Sequence, residues 1–409
     1  MLQLSRSAAR ALHLAALGLL TPPSAPAAPE DVMSAIRRMG VLQIDTISVV
    51  ARSPYLVLWS RLGPYDPRWL EDALAQGHLF EYWAHAACFI PIEDYPYFRR
   101  MMVDRLRDWW NVDRWLEEHR ATAEAVLGRI RREGPLRSAD FEAANRPEGG
   151  WWNWKEEKLV LERLHTAGEL MIARRQGFQR VYDLRERVLP DWRDEYTPSL
   201  DEVLRAFVLK SVQALGVARS RWVADYYRLK KNGLQALLEA AAQDGQLLPV
   251  AVEGWDDVCW VHASHQERLQ QAAAGQLVPT HTALLSPFDP LVWDRSRAQE
   301  FFGFDYTIEC YLPAPQRRYG YFSLPILDCG ELIGRLDAKL HRKERILEIR
   351  SFFLEEGVQM DEARAARLAR SLRSCAAWRS ADRVQPCEQV PAALTAALSV
   401  ENFGNLSEF

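Results

Sequence analysis

The sequence predicts an α+β chain: three consecutive helix–glycine–hairpin units, closed by a β-rich, barrel-like C-terminal region. Two observations carry this. A ten-residue pattern (Leu-Glu, five residues, Gly, one residue, Leu) occurs at Leu70-Glu71…Gly77…Leu79, at Leu161-Glu162…Gly168…Leu170 and at Leu238-Glu239…Gly245…Leu247. One match has odds on the order of 1 in 10,000 per start position, so three argue for a repeated unit. From Arg317 the chain then alternates apolar and polar residues in the manner of strands.

The N-terminal elements come first. Leu4, Ala8, Leu12, Ala15 and Leu19 share one helical face, with Ser5 or Ser7 near its start. Arg6 and Arg10 before the apolar run Ala11 to Leu20, with Ala25-Pro26-Ala27-Ala28 behind it, also fit a secretory leader. His13 interrupts that run, which is too short to span a bilayer. The expectation is a first helix of the fold, with Pro22 to Pro29 as a rigid loop. Further helices are expected over Glu30 to Met39 and Ser48 to Leu62.

Each repeat reads as a helix that ends at a glycine and turns into a strand. Leu-Glu followed by apolar residues three or four positions on gives helical spacing, and the glycine supplies the positive φ that ends a helix. In the second copy, Leu170-Met171-Ile172-Ala173 and Val181-Tyr182-Asp183-Leu184 flank the basic tip Arg174 to Arg180, a hairpin. Before it, Ser138 suits the N-cap of a short helix in Gly134-Pro135-Leu136-Arg137-Ser138-Ala139-Asp140-Phe141. Short helix, second helix, basic hairpin is the order of a winged helix-turn-helix. Ser220 to Tyr227 supplies the matching short helix in the third copy. Three tandem winged helices over roughly the first 265 residues are therefore expected; three unrelated αβ junctions remain the alternative. The boundaries read as 1–120, 121–195 and 196–280 for the three units, 281–380 for the β-rich domain with its closing helix, and 381–409 for a loosely held tail.

Composition narrows the function. Hydrophobic residues make up 48% and charged residues 26%, enough for several cores. Net charge is −4, which excludes a strongly basic, non-specific nucleic-acid coat. Basic residues gather in the second unit (Arg129, Arg131, Arg132, Arg137, Lys155, Lys158, Arg174, Arg175, Arg180), interleaved with acids, so a phosphate track and a solvated surface both stay open. The 15 tryptophans, among them Trp109-Trp110 and Trp151-Trp152-Asn153-Trp154, serve cores first and base stacking second. The six cysteines are scattered without zinc spacing, as in reduced cytosolic proteins.

In the C-terminal region, strands are expected over Tyr319 to Leu327, Leu332 to Leu340 and Ile346 to Ile349. Turns fall at Asp328-Cys329-Gly330 and Arg342-Lys343-Glu344, and a helix runs from about Asp361 to Trp378.

One segment points to chemistry. Met39-Gly40-Val41-Leu42-Gln43-Ile44-Asp45-Thr46-Ile47 sets a carboxamide and a carboxylate two apart in an apolar run. In extended chain, Gln43 and Asp45 project to one side, with Ile44 anchoring the other. Such a pair can align a water for attack on an electron-poor carbon. Asp45 as the cap of a helix starting near Thr46 to Ser48 is the alternative.

Leu42-Gln43-Ile44-Asp45-Thr46, followed by Ala51-Arg52-Ser53-Pro54-Tyr55-Leu56, resembles the active-site segment of the bacterial AlkZ/YcaQ family of DNA interstrand-crosslink glycosylases. The YcaQ-type (AlkX) branch carries Gln, an apolar residue, then Asp; the AlkZ branch has Gln in place of that Asp. Asp45 puts this sequence with the former. The resemblance extends through Glu81-Tyr82-Trp83-Ala84-His85, Arg137 to Phe141, Ala224 to Lys230, Leu285 to Arg295, Tyr319-Gly320-Tyr321 and Gly334 to Lys339. It implies three tandem winged helices with a C-terminal β-domain, and monofunctional hydrolysis of the N-glycosidic bond of N7-alkylated purines. It also implies unhooking of nitrogen-mustard-type crosslinks in duplex DNA, without cofactor or metal.

On that resemblance Gln43 and Asp45 are the expected catalytic pair. Candidate DNA contacts are Arg52, Ser53 and Arg61 after the catalytic segment, Tyr82 and His85 on the first wing, Arg174 and Arg175 at the second hairpin, and Arg335 and Lys339 on a β-domain strand. Asp337 shares the face of the last two and is their alternative ion-pair partner. Asp289, Asp294 and Arg295 read as a structural ion-pair network, with a role in the cleft left open by the resemblance. A cytoplasmic monomer without membrane partners is expected. The competing function is a non-enzymatic winged-helix regulator, which would read a sequence rather than a lesion.

Overall fold

The structure, a computed structural model, describes residues 1–105, 111–141 and 156–399. Trp109, Trp110, Trp151, Trp152, Trp154 and Lys155 lie outside the described residues. The chain forms two compact units: Pro67–Ala206, and Met1–Asp66 together with the chain from Phe207 onward. The expected stretch 1–120 is thus shared between the two.

The repeat is visible bond by bond. Helices Arg68–Ala75, Glu156–Ala167 and Leu234–Gln243 lead into strands Leu79–Trp83, Leu170–Gln176 and Leu247–Val252. Between them Gly77, Gly168 and Gly245 have φ of 76°, 79° and 72°, where a Cβ is strained. In each copy the glycine N–H donates back three residues, to Leu74, His165 and Ala242. The next N–H donates back five, to Ala73, Leu164 and Ala241. This paired closure satisfies carbonyls the helix would otherwise orphan.

An antiparallel strand follows each time: Ala87–Pro91, Gln179–Leu184 and Cys259–His262. The residue after it closes the hairpin, as Ile92, Arg185 and Ala263 donate to the carbonyls of His78, Glu169 and Gln246. A further bridge to the returning strand comes from Leu136–Arg137 in the second copy and from Ala218 in the third. Ser138 opens a single 3-10 turn, Ser138–Phe141, rather than an α-helix.

Within the discontinuous unit, Ser5 caps helix Arg6–Leu17 by accepting from the Ala8 N–H. Its apolar face is buried, and His13 Nδ1 lies 2.7 Å from the Leu215 carbonyl. Ahead of it, Leu2–Leu4 adds a parallel strand to Val250–Val252, too short to register as alternation. No helix among the described residues is long and apolar enough to cross a membrane.

The β-rich region is a five-stranded sheet in the order Thr282–Leu284, Ser323–Asp328, Glu331–His341, Ile346–Leu354, Arg383–Gln385. The three central strands are the expected meander. Helix Glu362–Trp378, capped by Asp361, is the crossover that lets Arg383–Gln385 run parallel to Ile346–Glu348. This corrects the expectation of a loose tail: up to Ser399 the chain forms that strand and helix Ala392–Ser399, with Leu394 fully buried. Elements as short as Arg383–Gln385 and Ala392–Ser399 carry too little periodicity to be read.

Candidate active site

Helix Ser53–Leu62 is buried along nearly its whole length, so it is a central core element rather than a surface helix. Pro54 in its first turn favours the start, and the Arg52 carbonyl accepts from the Tyr55 and Leu56 N–H groups. The segment Val41–Arg52 leads into it. Val41, Leu42, Val50 and Ala51 are buried, pinning both ends, while Gln43, Ile44 and Asp45 are half-buried and Thr46 is exposed.

Three sets of bonds hold this segment. At its entry Gly40 has φ of 72°, and a Cβ there would strike the Tyr227 hydroxyl; Tyr226 donates its hydroxyl to the Met39 carbonyl at 2.7 Å. At its middle the Leu340 N–H donates to the Val49 carbonyl, and Arg342 Nη2 donates to the Ser48 hydroxyl at 3.2 Å. At its exit Ser53 and Ser286 share a hydroxyl–hydroxyl bond of 2.7 Å, both fully buried. Tyr226, Tyr227 and Ser286 fall in family-matching stretches to which sequence alone gives no role.

Asp45 Oδ1 accepts from the Ile47 N–H at 2.8 Å, and Oδ2 has no protein partner among the described residues. The helix begins only at Ser53, so Asp45 does not cap it. The strand spans only Leu42–Gln43, so the extended-chain argument for a shared face ends at Gln43 and does not reach Asp45. Burial raises the Asp45 pKa above the ordinary aspartate range, and the Ile47 amide partly offsets this. Burial first, then the charge of Asp45, raises the pKa of Cys310. Tyr311 is raised by burial, then Cys310, then Asp45. A half-buried carboxylate with one oxygen anchored and the other open can hold charge beside a cationic sugar and accept a water proton.

The remaining candidates divide by burial. Arg61 is a correction. Its Nη1 and Nη2 pair with Asp289 at 2.6 and 2.9 Å, and its Nε donates to the Leu17 carbonyl. With side chains 3% and 0% exposed, this pair is core architecture and offers no cation to phosphate. Ser53 is likewise enclosed. Arg335 is 1% exposed, bonded to Glu355 at 2.5 Å and stacked on Phe304 and Tyr319. Asp337 is not its partner: it accepts the Tyr321 and Phe322 N–H groups. Lys339, on the same strand, is exposed.

In the Pro67–Ala206 unit, Tyr82 is buried and donates to the Thr166 carbonyl at 2.8 Å. Arg175 is buried against Glu81, with bonds of 2.5 and 2.8 Å, and Arg180 adds a third at 3.0 Å. Tyr82 and Arg175 are therefore core residues, not DNA contacts. His85 is half-buried near Cys88, and Arg174 is exposed on the hairpin. Arg52 is half-buried at the helix start.

A family model described as DNA glycosylase AlkZ-like matches residues 36–378. Among solved structures, the Streptomyces sahachiroi DNA glycosylase AlkZ superposes with a TM-score of 0.60 at 19% identity, covering 94% of this chain and 100% of that one. At that identity the likeness speaks for the fold alone. The match over most of its length shows that this chain belongs to the AlkZ-like DNA glycosylase family.

Proposed function

We propose that the protein is a monofunctional glycosylase that hydrolyses the N-glycosidic bond of N7-alkylated purines and unhooks nitrogen-mustard-type interstrand crosslinks, acting in the cytoplasm as a monomer on duplex DNA. Asp45 carries the reading: a half-buried carboxylate with one oxygen tied to the Ile47 amide and the other open.

N7 alkylation makes the purine cationic, so it leaves as a neutral base and needs no strong general acid. The remaining work is at the sugar. Asp45, ionised, stabilises the oxocarbenium-like C1′ and accepts a proton from the attacking water. Gln43 orients that water through its carboxamide. No lysine nucleophile enters, so the abasic product is left unnicked. The three helix–glycine–hairpin repeats serve as winged helices, and exposed Lys339 and Arg174, with half-buried Arg52 and His85, are the proposed DNA contacts.

The test is a denaturing gel of a duplex carrying one nitrogen-mustard crosslink, with alkali added afterwards to cleave the abasic site. Wild-type protein separates the strands and leaves an alkali-labile break. Gln43→Ala keeps more activity than Asp45→Asn; equal or greater loss makes Gln43 the main catalyst. A purely DNA-binding regulator releases no base from any substrate, and that result would remove the enzyme reading.

A further inference from the structure

Phe304 to Phe322 joins the helix Arg295–Phe302 to the sheet without a strand of its own, yet it is tightly built. Glu309, 7% exposed, accepts three consecutive backbone N–H groups, from Arg318, Tyr319 and Gly320. Asp337 accepts the next two, from Tyr321 and Phe322. Gly320 has φ of 129°, and a Cβ there would overlap the Asp337 side chain, which makes Tyr319-Gly320-Tyr321 a packing requirement. Tyr306 donates its hydroxyl to the Ser323 carbonyl at 2.5 Å.

On this rigid base stands an exposed tip. Tyr311 is 81% exposed, the most exposed large apolar side chain among the described residues, and Leu312 is 38% exposed. Pro313 and Pro315 stiffen the chain on the C-terminal side of the tip, where the Gln316 N–H closes a turn on the Pro313 carbonyl. Arg317 lies over Tyr321 and donates from Nε to the Leu312 carbonyl, while Arg318 lies over Tyr319. An aromatic ring held out in water by five backbone bonds to two buried carboxylates contributes nothing to the core.

The base of this loop also belongs to the framework of the active segment. Phe322 packs on Phe288, next to the Ser286 that bonds Ser53, and Asp337 lies on the strand whose Leu340 bonds Val49. At the tip, Cys310 and Tyr311 are close enough to Asp45 for its charge to raise their pKa.

We propose that Tyr311, on the loop Tyr311 to Arg318, is the residue that enters the base stack beside the damaged nucleotide, with Arg317 and Arg318 holding the adjoining phosphates. Proteins that pry DNA steps apart do so with an apolar or aromatic wedge flanked by cations. A wedge works only if its support does not yield, which the Glu309 and Asp337 clamps provide. The inference rests on the glycosylase reading for its lesion.

The experiment reads stacking directly, without base release. A duplex carries 2-aminopurine next to a tetrahydrofuran abasic analogue, and fluorescence is tracked as protein is added. Wild type and Asp45→Asn both raise the fluorescence severalfold; Tyr311→Ala binds on the order of tenfold more weakly and, at saturating protein, leaves the fluorescence low. Tyr311→Phe restores both. If Tyr311→Ala raises fluorescence as wild type does, or Tyr311→Phe behaves like Tyr311→Ala, the wedge assignment falls. A wild type that unstacks 2-aminopurine but releases no purine from alkylated DNA overturns the enzyme reading and leaves the wedge standing. Thermal melting within a degree or so of wild type confirms that the variants are folded.

Discussion

Asp45 and Glu81 are carboxylates placed away from bulk water in two different regions, and the chain treats them oppositely. Burial drives the pKa of both upward. At Glu81 that push is overcome by Arg175 and Arg180, and the pKa falls below the ordinary glutamate range. At Asp45 only one backbone amide answers it, and the pKa stays raised. Glu81 is 3% exposed and fully bonded, whereas Asp45 is half-buried with an open oxygen. A carboxylate that holds a fold is supplied with cations; on the proposed mechanism, one kept short of them meets its positive charge in the substrate.

The largest expected effect is on that second carboxylate. Asp45→Asn lowers the single-turnover rate of 7-methylguanine release by on the order of 100-fold or more, the loss typical of a removed electrostatic stabiliser. The same variant melts slightly higher at pH 7. Because the folded-state pKa of Asp45 lies above its unfolded value, its contribution to stability is present at low pH and lost as pH rises through the folded pKa. Asparagine removes that cost, so the gain in melting temperature shrinks toward pH 4. Wild-type activity, which needs the ionised form, accordingly falls on the acid side at a pH above the usual aspartate range. An Asp45→Asn protein that is active, or less stable at pH 7, breaks the comparison.

Glu81→Ala is next. It strands Arg175 in a buried site and costs about 3–5 kcal/mol, read by denaturant unfolding of the Pro67–Ala206 unit. Asp289→Ala, which strands Arg61, has a cost of similar size in the other unit. In wild type the Glu81 contribution is full above the ordinary glutamate pKa and disappears as pH falls below it, opposite to Asp45.

Asp328 sharpens the comparison at smaller scale. Against the upward push of burial, Arg367, Thr282 and Arg364 hold its pKa at about 2. Its stabilisation is lost as pH falls from the ordinary aspartate value near 4 toward about 2. Asp328→Asn flattens the acid limb of the melting curve over that window. Smallest of all, Lys339→Ala weakens binding to any duplex and reduces the slope of log affinity against log salt by about 1; an unchanged slope places Lys339 off the DNA.

The range of the forces involved decides how much the sequence reveals. The three helix–glycine–hairpin repeats were legible because a left-handed glycine and its flanking leucines are local requirements, visible within ten residues. The Gln43–Asp45 pair stands out in the sequence because two polar groups inside an apolar run call for an explanation; its role in catalysis is the proposal made above. The arginines were not. Arg61 meets its partner 228 residues away and Arg175 meets Glu81 across 94, so nothing near either one distinguishes a core cation from a phosphate contact. Arg335 and Lys339 lie on one strand, yet only the covering loop, with Phe304 and Tyr319, decides that the first is enclosed. Tyr311 escaped notice for the opposite reason, since its meaning lies in the absence of packing around it.

The division of the chain also bears on how it is made. Pro67–Ala206 is continuous and has every residue of its core once Ala206 has left the ribosome, whereas its companion needs residues 1–66 to wait for the chain beyond 207. Leu2–Leu4 finds its strand partner only after Val252 is synthesised. Residues 1–66 therefore stay unprotected for longer during translation than Pro67–Ala206, and stalled nascent chains of increasing length should show protease resistance arising first in Pro67–Ala206 and later in residues 1–66.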